Sequence, residues 1–178
     1  MEIKLSKLEI ESLACKRDQE MRPLDAKLEA ALVPRMLAAS SRGYMTREDL
    51  IEVAKWKWKG GRTRGLCSQN TTPDVEAITF ASFTTKSERL RIGVLLALDG
   101  VGWPMASVIL HFGFPDRYPI LDARAMDTVG GPTQYTFERW IEYKNLCSRT
   151  AIQHGVSMRT LDKALWKKGN PSGKRAKG

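Results

Sequence analysis

The chain has 178 residues, 42% of them hydrophobic and 28% charged, and its 29 Lys and Arg exceed its 20 Asp and Glu to leave a formal charge of +9. That length suits one well-packed domain, and no apolar run is long enough to span a bilayer, which excludes an integral membrane protein and leaves a basic body suited to an acidic partner. Three widely separated cysteines, Cys15, Cys67 and Cys147, exclude an iron–sulfur cluster and a zinc site, and with no signal-peptide pattern they fit a reducing, bacterial-type cytoplasm.

Residues 1–22 mix leucine and charge in helical fashion. Residues 24–40 are apolar at helical spacing but contain Pro34, which predicts either two short helices or one with a kink. After a turn at Arg42-Gly43-Tyr44, Thr46 is placed to cap an amphipathic helix whose apolar face holds Leu50, Ile51 and Val53, and which Gly60-Gly61 should stop. Thr72-Pro73 opens a helix through Phe80 and Phe83, and Ser87 caps another over residues 88–98. Gly130-Gly131-Pro132 breaks the chain; Thr136 then caps a long helix through Gln153 that Gly155 can close, and Ser157 starts a last helix carrying Leu161, Leu165 and Trp166. Strand signal is scarce, so an all-α fold is expected, as a single helical domain over residues 1–169 followed by a disordered basic tail, 170–178.

The segment Leu98-Asp-Gly-Val-Gly-Trp-Pro-Met-Ala-Ser-Val-Ile-Leu110 holds the clearest signal. Gly100 can take the left-handed backbone that ends a helix, Gly102 keeps the turn free of a side chain, and Pro104 suits the first turn of the next helix. Backbone N–H groups at such a helix start are open to an anion, which suggests sequence-independent contact with a DNA phosphate. A tight turn between two packed helices, with no ligand, satisfies the same spacing.

Downstream stands Pro119-Ile120-Leu121-Asp122. With Leu98, Gly100, Val101, Gly102, Ala106, Ile109 and Leu110 ahead of it, this stretch resembles the helix-hairpin-helix DNA glycosylase superfamily. The resemblance implies a compact helical bundle with a DNA-binding cleft, a hairpin over residues 87–112 and a catalytic segment over 118–130. It also implies that the hairpin grips the strand with a monovalent cation held by turn carbonyls, no other cofactor being expected, and that Asp122 is the catalytic carboxylate. Cleaving an N-glycosidic bond builds positive charge on the sugar, and an ionised carboxylate there stabilises it and orients or deprotonates water. Capping the helix from Ala123 to Val129 is the other use of Asp122. Arg124 departs from the histidine common in the superfamily, and Asp127 reads as a helix-surface residue. Pro104 stands where endonuclease-III-like members carry a nucleophilic lysine, and Lys86 lies too early for the 8-oxoguanine arrangement, so a monofunctional enzyme leaving an abasic site is expected.

Basic residues cluster in two runs, Lys55, Lys57, Lys59, Arg62 and Arg64, and Lys167, Lys168, Lys174, Arg175 and Lys177. Each run would release counterions from a phosphate backbone, unless it is only a solvated loop or tail. Trp56 and Trp58 interleave the first run; two apart on a helix, they cannot share a face, so one is expected in the core and the other on a base pocket or the DNA surface. Expected DNA contacts are therefore the first run with Gly100, Val101, Gly102 and Trp103, and the expected substrate pocket takes Trp56, Trp58 and Tyr118. His111 and His154 are too scattered for a metal site. Double-stranded DNA is the expected partner of a monomer, in base-excision repair or against the modified bases of phage DNA. A DNA-binding module without chemistry accounts for the hairpin and the charge as well, though not for Asp122.

Overall fold

The computed structural model describes residues 1–132 and 134–169, and every regular element among them is helical. In chain order these are α1 (Lys7–Gln19), α2 (Pro23–Arg42), α3 (Arg47–Lys57), α4 (Gly61–Cys67), α5 (Thr72–Thr84), α6 (Glu88–Gly93) continued by a 3-10 turn at Val94–Ala97, α7 (Trp103–Gly113), α8 (Ala123–Thr128), α9 (Phe137–His154) and α10 (Met158–Lys168). The expected caps form: Thr46, Ser87, Thr136 and Ser157 each accept the backbone N–H three residues on, and Gly155 closes α9 at φ +61°. The expected tail, with Lys174, Arg175 and Lys177, lies outside the described residues.

Residues 24–40 fall within one helix, the second of the two expected alternatives, with Pro34 on its exposed side. Two local expectations change. The helix expected over 88–98 divides into α6 and the 3-10 turn. Gly60-Gly61 does not only stop a helix; Gly60 is the N-cap of the unexpected α4.

The chain divides into two compact units, a central one from Arg22 to Pro115 and a terminal one that joins Met1–Met21 to the described residues from Asp116 onward. In the central unit α7 is the axis, with Met105 through Gly113 all buried, as befits a helix apolar on every side. Helices α2, α3 and α6 pack on it. Asp49, 2% exposed, ties this unit together: it accepts from Arg35 at 2.7 Å and from Arg42, and completes the cap at Thr46.

Arg91, 5% exposed, donates to the carbonyls of Ser82 and Phe83, both at 2.9 Å, and of Thr85. These are C-terminal carbonyls of α5, so the guanidinium caps that helix from α6 and complements its dipole. Arg91→Met should therefore leave buried acceptors unpaired and destabilise the chain by about 3 kcal/mol, read as a lower urea midpoint at unchanged slope.

In the terminal unit α10 packs on α1, α8 and α9. Ile10, Ala14, Trp140, Tyr143, Leu161 and Leu165 are among its buried residues. Trp166 lies between two guanidiniums, Arg17 at 4.5 Å and Arg124 at 3.7 Å from its ring centroid. Of residues 1–22, which the sequence left unplaced, Met1–Met21 thus belong to the packed body of this unit, and Arg22 begins the central one.

Candidate functional site

In the central unit the 3-10 turn and α7 are joined by a tight loop. Val101 N–H bonds to Leu98 O at 3.1 Å, with Gly100 inside the turn at φ +80°. Gly102 is the N-cap of α7, no side chain caps that helix, and Pro104 stands in its first turn. The N–H groups of Gly102, Trp103 and Met105 have no acceptor among the described residues. These are donors an anion could meet. Val101 corrects the expectation: its N–H closes the turn and its side chain is only 5% exposed, so it packs inward and offers no contact to DNA. Among the described residues, Leu98 O accepts from the Val101 N–H and Asp99 O from Asn70 Nδ2.

Beside this loop lies α4. A Cβ built on Gly100 would stand 2.8 Å from Cys67 Sγ and 3.0 Å from both Cys67 N and Leu66 Cβ, so the loop sits directly on the end of that helix. Arg62 and Arg64, both on α4, are exposed and have no ion-pair partner among the described residues. The rest of the run is more engaged than its sequence suggests. Lys55 reaches Glu52 at 3.4 Å and Lys59 reaches Asp25 at 3.1 Å, acids brought in by helical spacing and by the fold. The Arg22 guanidinium, then Lys59, hold the Asp25 carboxyl down at about 2. Such exposed pairs are weak and can be exchanged for phosphate.

The two tryptophans differ in exposure, but neither lies in the core and only Trp56 is on the helix. Trp56, on α3, is half-buried and meets the Phe112 ring edge-on at 4.8 Å, which packs α3 on α7. Trp58 is 44% exposed; it lies past the end of α3 in extended backbone, with the Lys57 ammonium 5.8 Å from its ring. Trp58 is the surface aromatic, and Trp103 stays half-buried at the first position of α7.

Asp122 belongs to the terminal unit. Residues 118–121 are all buried, and the Tyr143 hydroxyl donates to Ile120 O at 3.2 Å, so the backbone leading to Asp122 is fixed. Asp122 itself is half-buried, and its Oδ1 accepts the Arg124 N–H at 2.9 Å as the N-cap of α8. Tyr135 stands in the field of this carboxylate: burial first, and then the Asp122 charge, raise its phenol above the usual range. Arg124 serves packing, since it covers Trp166 and donates to Gly169 O at 3.2 Å. Asp127 is exposed on α8.

Tyr118 is a correction. Expected in a substrate pocket, it is fully buried, stacked on Trp140 with centroids 6.2 Å apart and planes 14° from parallel, so it is part of the core.

No cluster of His, Cys, Asp and Glu suited to a metal ion occurs among the described residues. No described helix is long and apolar enough to cross a membrane. Burial pushes the Cys67 thiol up to about 11 and the Cys147 thiol higher still, so both stay protonated and unreactive at neutral pH. Comparison with family models, curated proteins and solved structures gave no match.

Proposed function

We propose that the chain is a monofunctional DNA glycosylase of the helix-hairpin-helix type, acting on a base in duplex DNA. The observation that carries this reading is the turn at Gly100 to Gly102, which leaves three N–H groups at the start of α7 without an acceptor among the described residues, in the same unit as the exposed cations Arg62 and Arg64. Anions bind where free N–H groups and a helix dipole coincide, and nearby guanidiniums extend the contact to further phosphates. Trp58 adds an exposed ring of the kind that stacks on a base.

In this reading Asp122 supplies the chemistry. Its carboxylate would oppose the positive charge that develops on the sugar as the glycosidic bond breaks, and would orient the attacking water. Tyr135, whose phenol is held above the usual range by burial and then by the Asp122 charge, would donate to the leaving base or the water. Pro104 in place of a lysine leaves no amine to form a Schiff base, which limits the product to an abasic site.

A second reading, a DNA-binding module without chemistry, is favoured by one observation: Asp122 is already engaged as the cap of α8. Incubation with duplexes carrying alkylated, oxidised, deaminated or phage-type modified bases, followed by alkaline cleavage of abasic sites, decides between them. Release from at least one duplex is expected, with no borohydride-trapped adduct. Salt-dependent duplex binding with no release from any substrate establishes the binding module instead, and tighter binding to RNA than to DNA overturns both.

A further inference from the structure

We infer that Asn70 is a positioning residue for the DNA-contacting loop, joining it to the basic helix α4 so that loop and helix meet the phosphate backbone as one surface; this rests on the proposed DNA contact. Asn70 is 9% exposed, and its side-chain amide is directed at a single distant residue. Its Oδ1 accepts the Asp99 N–H at 2.9 Å, and its Nδ2 donates to Asp99 O at 3.0 Å, 29 residues away in sequence. The same Nδ2 donates to Cys67 O at 3.0 Å, at the end of α4. Both amide hydrogens and the amide oxygen are therefore used, two bonds on the loop and one on the helix.

This is the pattern by which a strand neighbour would read the backbone of one residue, supplied here by a side chain. It fixes Asp99, the residue before Gly100, in the turn that sets the three open N–H groups. The anchor is itself held. Arg47 of α3 donates Nε to Asn70 O at 3.0 Å and Nη2 to Ser68 O, so the connection between α4 and α5 is pinned from below. The close contact of Gly100 with Cys67 needs this register, because a loop displaced by one side chain's width would lose it. Asn70 thus links the α4 cations and the loop donors mechanically, while touching no ligand itself.

Two measurements on Asn70→Ala, with Asn70→Asp beside it, test this in the full chain. Asn70→Asp keeps the acceptor for Asp99 N–H but sets a carboxylate against two carbonyl oxygens. Amide exchange at Val101 should quicken about tenfold in both variants, and at Asp99 in Asn70→Ala, the effect of about one net hydrogen bond, while amides in α3 and the middle of α7 keep their protection. Affinity for a plain 20-base-pair duplex should fall about tenfold, and the slope of log K against log salt should become shallower by about 0.9, one phosphate contact. A merely structural residue would speed exchange across the unit and leave the salt slope alone. Unchanged exchange at the loop overturns the assignment, as does faster loop exchange with an unchanged salt slope. If the unmodified protein fails to bind the duplex, it is the DNA reading that falls, and the inference with it.

Discussion

Asp122→Asn is expected to abolish base release while leaving fold and DNA affinity intact. Asn caps a helix as well as Asp does, so α8 keeps its bond to the Arg124 N–H and the melting temperature should hold. What the substitution removes is charge. A neutral amide cannot oppose the positive sugar or take a proton from water, and loss of such a group lowers the rate about 10²–10⁴-fold. Single-turnover release of a base from the duplex identified above gives the rate, and fluorescence anisotropy on the same duplex gives the affinity. Asp122→Ala separates the two roles of this side chain, since it should match the Asn variant in rate but also lose about 1 kcal/mol of stability with the cap. Undiminished release by Asp122→Asn would mean that the residue only caps α8.

Caps and turns were the most legible part of this chain because their physics is local. Thr46, Ser87, Thr136 and Ser157 need nothing beyond the next three residues to form their bonds, and Gly155 needs only its own backbone. Gly100 was legible for the same reason, as a glycine between two apolar periodic segments. The helix α4 was not, because Gly-Arg-Thr-Arg-Gly-Leu-Cys offers two poor helix formers and a single apolar turn. Tertiary packing decides it: Cys67 is buried under Gly100.

Side chains that act over a long separation were illegible. Asn70 meets Asp99 and Lys59 meets Asp25, and no spacing rule covers 29 or 34 residues. Tyr118 misled for a related reason. An aromatic beside an expected catalytic segment reads as a pocket wall, whereas burial against Trp140 is a property of the assembled unit.

Gly100→Ala should be among the most damaging small substitutions in the central unit, because it fails in two independent ways. At φ +80° an L-residue crowds its own carbonyl, which costs about 1–2 kcal/mol. The added methyl would also press on Cys67 Sγ, Cys67 N and Leu66 Cβ at 3.0 Å or less. Of these, the Cys67 backbone nitrogen cannot rotate aside, and overpacking of this kind costs about 1–3 kcal/mol more. The sum, about 2–5 kcal/mol, is a large share of the 5–15 kcal/mol by which domains of ordinary size are stable. Urea unfolding should show the loss as a lower midpoint. Cys67→Ala in the same background should return only part of it, since removing Sγ relieves one contact but neither the backbone nitrogen nor the left-handed strain. Duplex affinity should weaken in step, because the turn that exposes the N–H groups of Gly102, Trp103 and Met105 is the turn being deformed. A Gly100→Ala protein within 0.5 kcal/mol of the parent would show that the loop relaxes freely, and a loop that relaxes freely cannot present those donors in a fixed array to a phosphate.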